Sequence, residues 1–280
     1  MPKIMRQSAI VVRYHLLALA IALMFVVPLV WVVAASLRQP GLPPSPSIEW
    51  LPNPPAWSNY SRIFQIAPLG HYLQNSLWVV LLAVPITLVV ASWAGFAMAQ
   101  LPPPIRRWLI LLTVLLRMVP LTALWLTRFM LFKYLFLIDT YWALIAPAWM
   151  GSSPFFVLLF YWSFRRMPPE FIEAARLEGM GPLRIWAAVA MPLARPTIMT
   201  VGVLTFVQYW SDFVNPLLYL KSERLYTLPI GLQILQQLDI TNWPLLMAGS
   251  VVLMAPVLLL FFLVQHAFWP EGRLSGPYGR

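Results

Sequence analysis

The sequence predicts an all-α integral membrane protein with six spanning helices, and three observations carry that prediction. Of 280 residues, 60% are hydrophobic and only 10% are charged, where a soluble globular protein carries about 25% charged residues. Uncharged stretches recur at the length of a bilayer crossing, about 20 residues. No Asp, Glu, Lys or Arg falls between Arg13 and Arg38, Arg62 and Arg106, Asp139 and Arg165, or Asp239 and Glu271. Finally, the 19 basic residues outnumber the 9 acidic ones and gather on alternate polar segments. Cysteine is absent, which excludes disulfide frameworks, thiolate metal sites and cysteine nucleophiles but says nothing of redox compartment.

The first span is expected near 14–36. Lys3, Arg6 and Arg13 precede it as in a secretory signal, yet the uncharged run from Tyr14 to Leu37 exceeds the roughly 7–15 residues of a signal core. It reads as a retained helix behind a short N-terminal segment, 1–13. The loop from Gln39 to Trp57 carries Pro40, Pro43, Pro44, Pro46, Pro52, Pro54 and Pro55. That density forces an extended, stiff chain, and its outward placement argues against a ligand for an SH3-like module. Further spans are expected near 75–99, 107–127, 141–163, 197–220 and 246–269. Single charges, Arg117 and Asp212, puncture the third and fifth. A soluble protein with buried helices would retain too little polar chain to cover six such segments. Pro85, Pro120, Pro147, Pro154, Pro216 and Pro256 remove backbone hydrogen bonds within the spans, where membrane helices tolerate kinks.

Orientation follows from the basic residues, which are retained on the cytoplasmic side. With the N-terminus inside, the inner segments hold twelve Lys and Arg residues and the outer segments six. Both termini are therefore expected in the cytoplasm, with outer loops at 37–74, 128–140 and 221–245, and the basic excess needs no nucleic acid to explain it. Residues 14–280 form one transmembrane domain.

The inner loop 164–196 is the most informative. Pro168, Pro169 and Glu170 suit the first turn of a helix, which reads to Glu178 and stops at Gly179. After Gly181-Pro182 a second helix places Leu183, Trp186, Ala187 and Ala190 at i, i+3, i+4 and i+7, an amphipathic face, and Pro192 and Pro196 are expected to close it. The loop reads Glu173-Ala174-Ala175, three residues, Gly179, nine residues, Val189, one residue, Met191-Pro192. This resembles the EAA motif of permease subunits in prokaryotic ABC importers, with Val189 and Met191 as conservative departures from Ile and Leu. Phe164-Arg165-Arg166-Met167-Pro168 before the motif, Trp210-Ser211-Asp212-Phe213 with Pro216-Leu217, Tyr226 to Leu232, Leu246 to Gly249, Asn59-Tyr60 and Ile63-Phe64 are similar to the MalG-like carbohydrate permeases. The tail from Pro270 to Gly276 follows that family only loosely.

The resemblance implies the type I importer permease fold and a division of labour. Two permease subunits form the pathway, two ATP-binding subunits use ATP and Mg, and an external solute-binding protein or lipoprotein delivers a sugar. The chain itself is expected to be non-catalytic, in a prokaryotic cytoplasmic membrane, and to bind no cofactor. Its only lysines are Lys3, Lys133 and Lys221, and none lies in a Gly-x-x-x-x-Gly-Lys phosphate loop. Glu173, Ala174, Ala175, Gly179, Val189 and Pro192 are the expected ATPase-coupling residues: Glu173 as charged anchor, the alanines for close approach, Gly179 for the turn.

An intramembrane carboxylate is expensive and faces a partner or a watery path. Asp212 is read as a pathway or gating residue with Tyr209, Trp210 and Asn215, or as a hydrogen-bonding or ion-pairing group that fixes helix five, with Arg117 as its potential partner; the second is favoured. Gln236, Gln237, Asp239, Asn242 and Trp243 fall in the loop that, by resemblance, reaches toward the binding protein. Most of the 14 tryptophans suit interfacial anchoring. The nearest alternative solutes are a glycerol phosphate or an amino sugar. A secondary transporter would need coupling-ion sites and related repeats, for which only Asp212 offers a group. His15, His71 and His266 have no metal or catalytic spacing, against a membrane enzyme.

Overall fold

The computed structural model describes residues 2–41, 50, 52–238 and 242–268. Asp239, Pro43, Pro44, Pro46 and the divergent tail from Pro270 lie outside them. Among the described residues there is no strand. In chain order the first helices are α1 (Pro2–Ser36), α2 (Ser58–Ile66), α3 (Leu69–Gln100), α4 (Pro103–Met118), α5 (Trp125–Tyr134), α6 (Tyr141–Ile145) and α7 (Pro154–Arg165). Then come α8 (Pro169–Leu177), α9 (Pro182–Ile185), α10 (Met191–Leu193), α11 (Arg195–Trp210), α12 (Val214–Tyr219), α13 (Leu228–Leu238) and α14 (Trp243–Phe268).

Among the described residues four stretches are long and apolar enough to cross a bilayer: Arg13–Ser36, Leu69–Gln100, Tyr141–Arg165 and Trp243–Gln265. Two further pairs, Pro103–Met118 with Leu121–Tyr134 and Pro182–Leu193 with Arg195–Trp210, meet those limits jointly but are each bent by 86°. The described residues thus hold four candidate crossings, or six if each bent pair is one.

Proline explains where the helices depart from the apolar stretches. Residues before proline are driven to extended backbone. Ala67, ahead of Pro68, has ψ 152°, so α3 starts at Leu69 rather than near residue 75. Val119, ahead of Pro120, has ψ 121° and ends α4 inside the expected third span. Beyond this break the chain is helical again to Tyr134, so residues 128–134 are helix where an outer loop was expected. In the 164–196 loop Pro192 does not close the second helix. Trp186–Ala190 widens instead into a π segment, and helix resumes at Met191–Leu193. Proline cannot donate to the carbonyl four residues back and its ring crowds that carbonyl; a local i→i+5 winding relieves both. The bend comes two residues later, at Ala194.

The chain divides into two compact units, residues 1–69 with 231–255, and residues 70–230 with 256–280. In the first, the fully buried Asn59 donates from Nδ2 to the carbonyls of Ser36 and Arg38, both at 2.8 Å. The Ser36 carbonyl is one that the end of α1 leaves without a helical partner, and Arg38 lies two residues beyond that end. Tyr60 shares a hydrogen bond of 2.7 Å with Ser36 Oγ, and Ile63 is fully buried beside them in sequence. Gly249 on α14 is the other fixed point: a Cβ there would lie 2.5 Å from Leu232 of α13.

In the second unit α3 and α7 pack closely around a core that includes Ala91, Phe96, Phe156, Phe160 and Phe164. Phe164 meets Phe96 edge-on with ring centroids 5.6 Å apart. The close approach depends on Gly95, where a Cβ would stand 2.7 Å from Phe160 Cβ and 2.8 Å from the Tyr161 nitrogen. Gly95→Ala is therefore expected to destabilise the protein by about 1–3 kcal/mol through overpacking. Gly202→Ala is the control: the nearest atom to its Cβ is Leu88 Cδ1 at 3.9 Å, and it is expected to leave the unfolding midpoint in detergent unchanged or higher.

Candidate functional site

The EAA segment folds as α8 followed by a tight reversal. Gly179 N donates to Arg176 O and Met180 N to Ala175 O, both at 3.0 Å. This pair of bonds is a Schellman cap, which satisfies carbonyls at the helix end and needs a left-handed residue after the cap position. Gly179 supplies it with φ +77°. The helix faces are divided sharply. Ile172 and Ala175 are buried against the α3–α7 core, whereas Phe171, Glu173, Ala174, Arg176 and Leu177 are exposed. Ala175 is therefore internal packing, and only Ala174 of the two alanines is open to a partner.

Two contacts brace the loop against α3. Arg176 Nη2 donates to Gln100 Oε1 at 2.7 Å, and Trp186 Nε1 donates to Ser92 Oγ at 3.3 Å. Trp186 also meets Trp93 edge-on, with centroids 5.2 Å apart. Val189 is half-buried against the same core, and Pro192 is exposed. Glu173 lines a cavity of about 260 Å³ together with Gln100, Arg165, Met167 and Arg176. None of the bracing residues at positions 92, 93 and 100 stands out in the sequence, because each is an ordinary residue of an apolar helix until the fold brings the loop to it.

A second cavity, of about 470 Å³, opens where helices break. Its walls include Arg117, Ser152, Ser153, Gln208, Asp212 and Asn215. Pro154 opens α7, Ser153 Oγ accepts from Phe155 N at 3.3 Å, and Gly151 and Ser152 precede it at φ +73° and +57°. Asp212 ends the other break: its Oδ1 accepts from Asn215 N at 3.2 Å and its Oδ2 from Asn215 Nδ2 at 2.7 Å. Asp212 thus caps α12, and its hydrogen bonds go to Asn215 rather than to Arg117. Tyr209 lies in a buried polar node: its hydroxyl and Ser152 Oγ are 2.9 Å apart, and Ser152 Oγ is 2.5 Å from Thr87 Oγ1. Trp210 is fully buried and stacks on Phe206, with rings 5.5 Å apart and 14° from parallel. Asp212 and Asn215 therefore share the cavity wall, while Tyr209 and Trp210 are packed behind it.

The segment 221–245, expected outside, contains α13, an amphipathic helix with Leu228, Ile230, Leu232 and Leu235 buried. Gln236 and Gln237 are exposed at its end, whereas Asn242 is buried and accepts from Gly41 N at 3.2 Å. Trp243 is half-buried, its ring 6.4 Å from that of Trp31. The chain leading into α13 is fixed from two sides. Asn75 Nδ2 donates to the carbonyls of Arg224 and Tyr226 at 2.9 and 2.8 Å, and Tyr72 donates to Glu223 Oε1 at 2.9 Å. On the other side Asp139 accepts from Lys221 N and Ser222 N, at 2.9 and 2.8 Å, and from the Ser222 hydroxyl.

Among the described residues the chain is helical, with several candidate apolar crossings and a capped helix exposed in the 164–196 loop. Residues 88–271 match the family described as binding-protein-dependent transport system inner membrane component, and the chain belongs to it. It is 30% identical to the sulfoquinovosyl glycerol transport system permease protein SmoH of Agrobacterium fabrum, over 85% of this chain and 84% of that one. It is 31% identical to the arabinooligosaccharide transport system permease protein AraQ of Halalkalibacterium halodurans, over 89% of each. The fold resembles a chain of a bacterial ABC transporter involved in the import of the acidic polysaccharide alginate, at TM-score 0.75 and 20% identity, covering 92% of this chain and 96% of that one. The protein is thus a permease component of an ABC transporter, a non-catalytic subunit of a multi-pass inner-membrane system.

The Asp139 contacts have a pH signature. Hydrogen bonds from the Ser222 hydroxyl and the Ser222 and Lys221 amides hold its carboxyl below the ordinary carboxylate value, so the contact is complete above about pH 4 and is lost as pH falls through the lowered value. Asp139→Asn at neutral pH is expected to lower the protection factors of the Lys221 and Ser222 amides, exchange rates relative to the intrinsic rate at the same pH, as strong acid does in the wild type. Hydrogen-exchange mass spectrometry of peptides spanning 219–226 checks this.

Proposed function

We propose that the chain forms half of the translocation pathway of an ATP-driven importer for a sugar or sugar-like solute. A second permease subunit completes the pathway, two ATP-binding subunits drive it with ATP and Mg, and an external binding protein delivers the solute. The named relatives support the solute class: one is named for sulfoquinovosyl glycerol, one for arabinooligosaccharides, and a third, 25% identical, is the lactose transport system permease protein LacG of Rhizobium radiobacter. The twelve-to-six bias of basic residues supports cytoplasmic termini and a cytoplasmic α8 turn.

One observation carries the coupling assignment. The EAA residues form a rigid helix whose outer face presents Phe171, Glu173, Ala174 and Leu177 with nothing from the described chain over it; Leu177 is 91% exposed. A leucine so exposed in a polar loop suits a partner surface. The helix is short, so its direction depends on its cap and on the Arg176 brace. A partner that pushes or releases α8 would move the π-containing segment after Gly179 and then α11, the helix that ends at the Asp212 cavity. Gln236 and Gln237 are the described residues suited to meet the binding protein.

Gly179 separates coupling from mere folding. No atom lies within 4 Å of where its Cβ would be, so a substitution is strained by the positive φ and not by crowding. Asparagine tolerates that conformation and a β-branched residue does not. Gly179→Asn is expected to retain most coupled uptake. Gly179→Val is expected to lose roughly tenfold or more, the equivalent of about 1.4 kcal/mol, while still inserting in the membrane. Uptake by the assembled importer in liposomes, alongside ATP hydrolysis, is the measurement; wild-type coupled uptake by Gly179→Val would refute the assignment.

A further inference from the structure

The 470 Å³ cavity has on its wall a cation that no described group contacts. Arg117 stands on its wall, inside the expected third span. A guanidinium stays charged at any working pH, and an ionisable group at that depth marks a partner or a water-filled path. The acid on the same wall is Asp212, and its oxygens are already engaged: one accepts from Asn215 N and the other from Asn215 Nδ2. Arg117 makes no hydrogen bond or ion pair with any described residue. The cavity wall also offers the exposed amide of Gln208, and Asn215 Oδ1 is buried without a donor.

We propose that this cavity is a solute subsite for a saccharide bearing an anionic substituent, a carboxylate or sulfonate, with Arg117 as its counter-ion. Gln208 and Asn215 serve the neighbouring hydroxyls. The inference rests on the reading of the chain as half of a solute pathway. Arg117 presents five donors in a planar fork that matches a carboxylate or sulfonate face with two parallel bonds. A neutral sugar offers that fork only weaker hydroxyl acceptors. The volume lies within the range of small-molecule sites, about 300–1,000 Å³. Asp212, held by its own cap, sets the α12 start and so the position of Asn215; neutral amide donors leave its charge in place, so the acidic group of the solute lies against Arg117 and away from Asp212.

The test uses the assembled importer in nanodiscs, without the external binding protein so that its own selectivity does not enter. Calorimetric titrations compare digalacturonate with neutral galactobiose, and 6-sulfo-6-deoxyglucose with glucose. The wild type is expected to bind at least one acidic sugar roughly tenfold more tightly than its neutral counterpart, with the preference weakened by added salt. Arg117→Gln is expected to abolish the preference and Arg117→Lys to keep part of it, since lysine retains the charge and loses the fork. Lack of an acid preference in the wild type, or an undiminished preference in Arg117→Gln, overturns the proposal; the wild-type comparison stands even if a variant does not assemble. A guanidinium that pairs only with an acid of the second permease would give the first of these results. Co-purification of the ATP-binding subunit is read from the same preparation. If it is retained while the acid preference is absent, the subsite fails alone; if it is absent, the importer reading fails.

Discussion

The whole structure depends on a single constraint, that backbone N–H and C=O groups inside hydrocarbon must find partners within the chain. Uninterrupted helix meets this constraint wherever the sequence is apolar and free of internal breaks, as in Leu69–Gln100 and Trp243–Gln265. The informative places are those where helix stops at depth. There side chains can take over, and at two of the breaks a small polar residue does so: Ser153 at the start of α7 and Asp212 at the start of α12. The residues with chemistry to offer a solute are thus the residues that the breaks require. Cavity and cap are one feature, because an open helix end and an empty volume beside it arise from the same interruption.

The 164–196 loop obeys the same rule outside the apolar stretches. Its first helix is short, so it gains little from cooperativity and relies on its ends. Pro169 pre-sets the first turn, and Gly179 allows both Schellman bonds. Ile172 and Ala175 pin one face to the α3–α7 core, and the Arg176–Gln100 bond fixes its direction. The exposed face is what remains once these requirements are met. The π segment at Trp186–Ala190 lets the chain carry Pro192 and still remain helical up to the bend at Ala194, which makes the path from α8 to α11 a chain of stiff pieces joined at two defined points.

Much of this was legible in the residues. Apolar stretches free of charge locate the long helices because the bilayer tolerates no other composition, and Gly179 marks a turn because only that backbone region ends α8 in this way. Pro120 signalled a lost hydrogen bond, but not an 86° change of direction followed by more helix to Tyr134. The sense of a kink is set by what the next segment packs on. Ala174 and Ala175 look alike in sequence and have opposite environments, since the face that a short helix buries depends on a distant core. Thr87, Ser152 and Tyr209 are separated by 65 and 57 residues, and nothing local announces that they meet. Asp212 stood out as a charge in a span, yet its role as a cap for α12 depends on the helix breaking at Ser211, which hydropathy averages away.

The central claim is that the bilayer sets the architecture, with the α8 turn on the cytoplasmic side and the chain before α13 on the outer side. The absence of native cysteine makes it directly measurable. Leu177→Cys and Lys221→Cys, both at exposed positions, can be labelled separately with a membrane-impermeant maleimide in right-side-out and inside-out vesicles. The account predicts that the residue 177 variant is labelled only in inside-out vesicles and the residue 221 variant only in right-side-out ones. Labelling of both from the same face would contradict it.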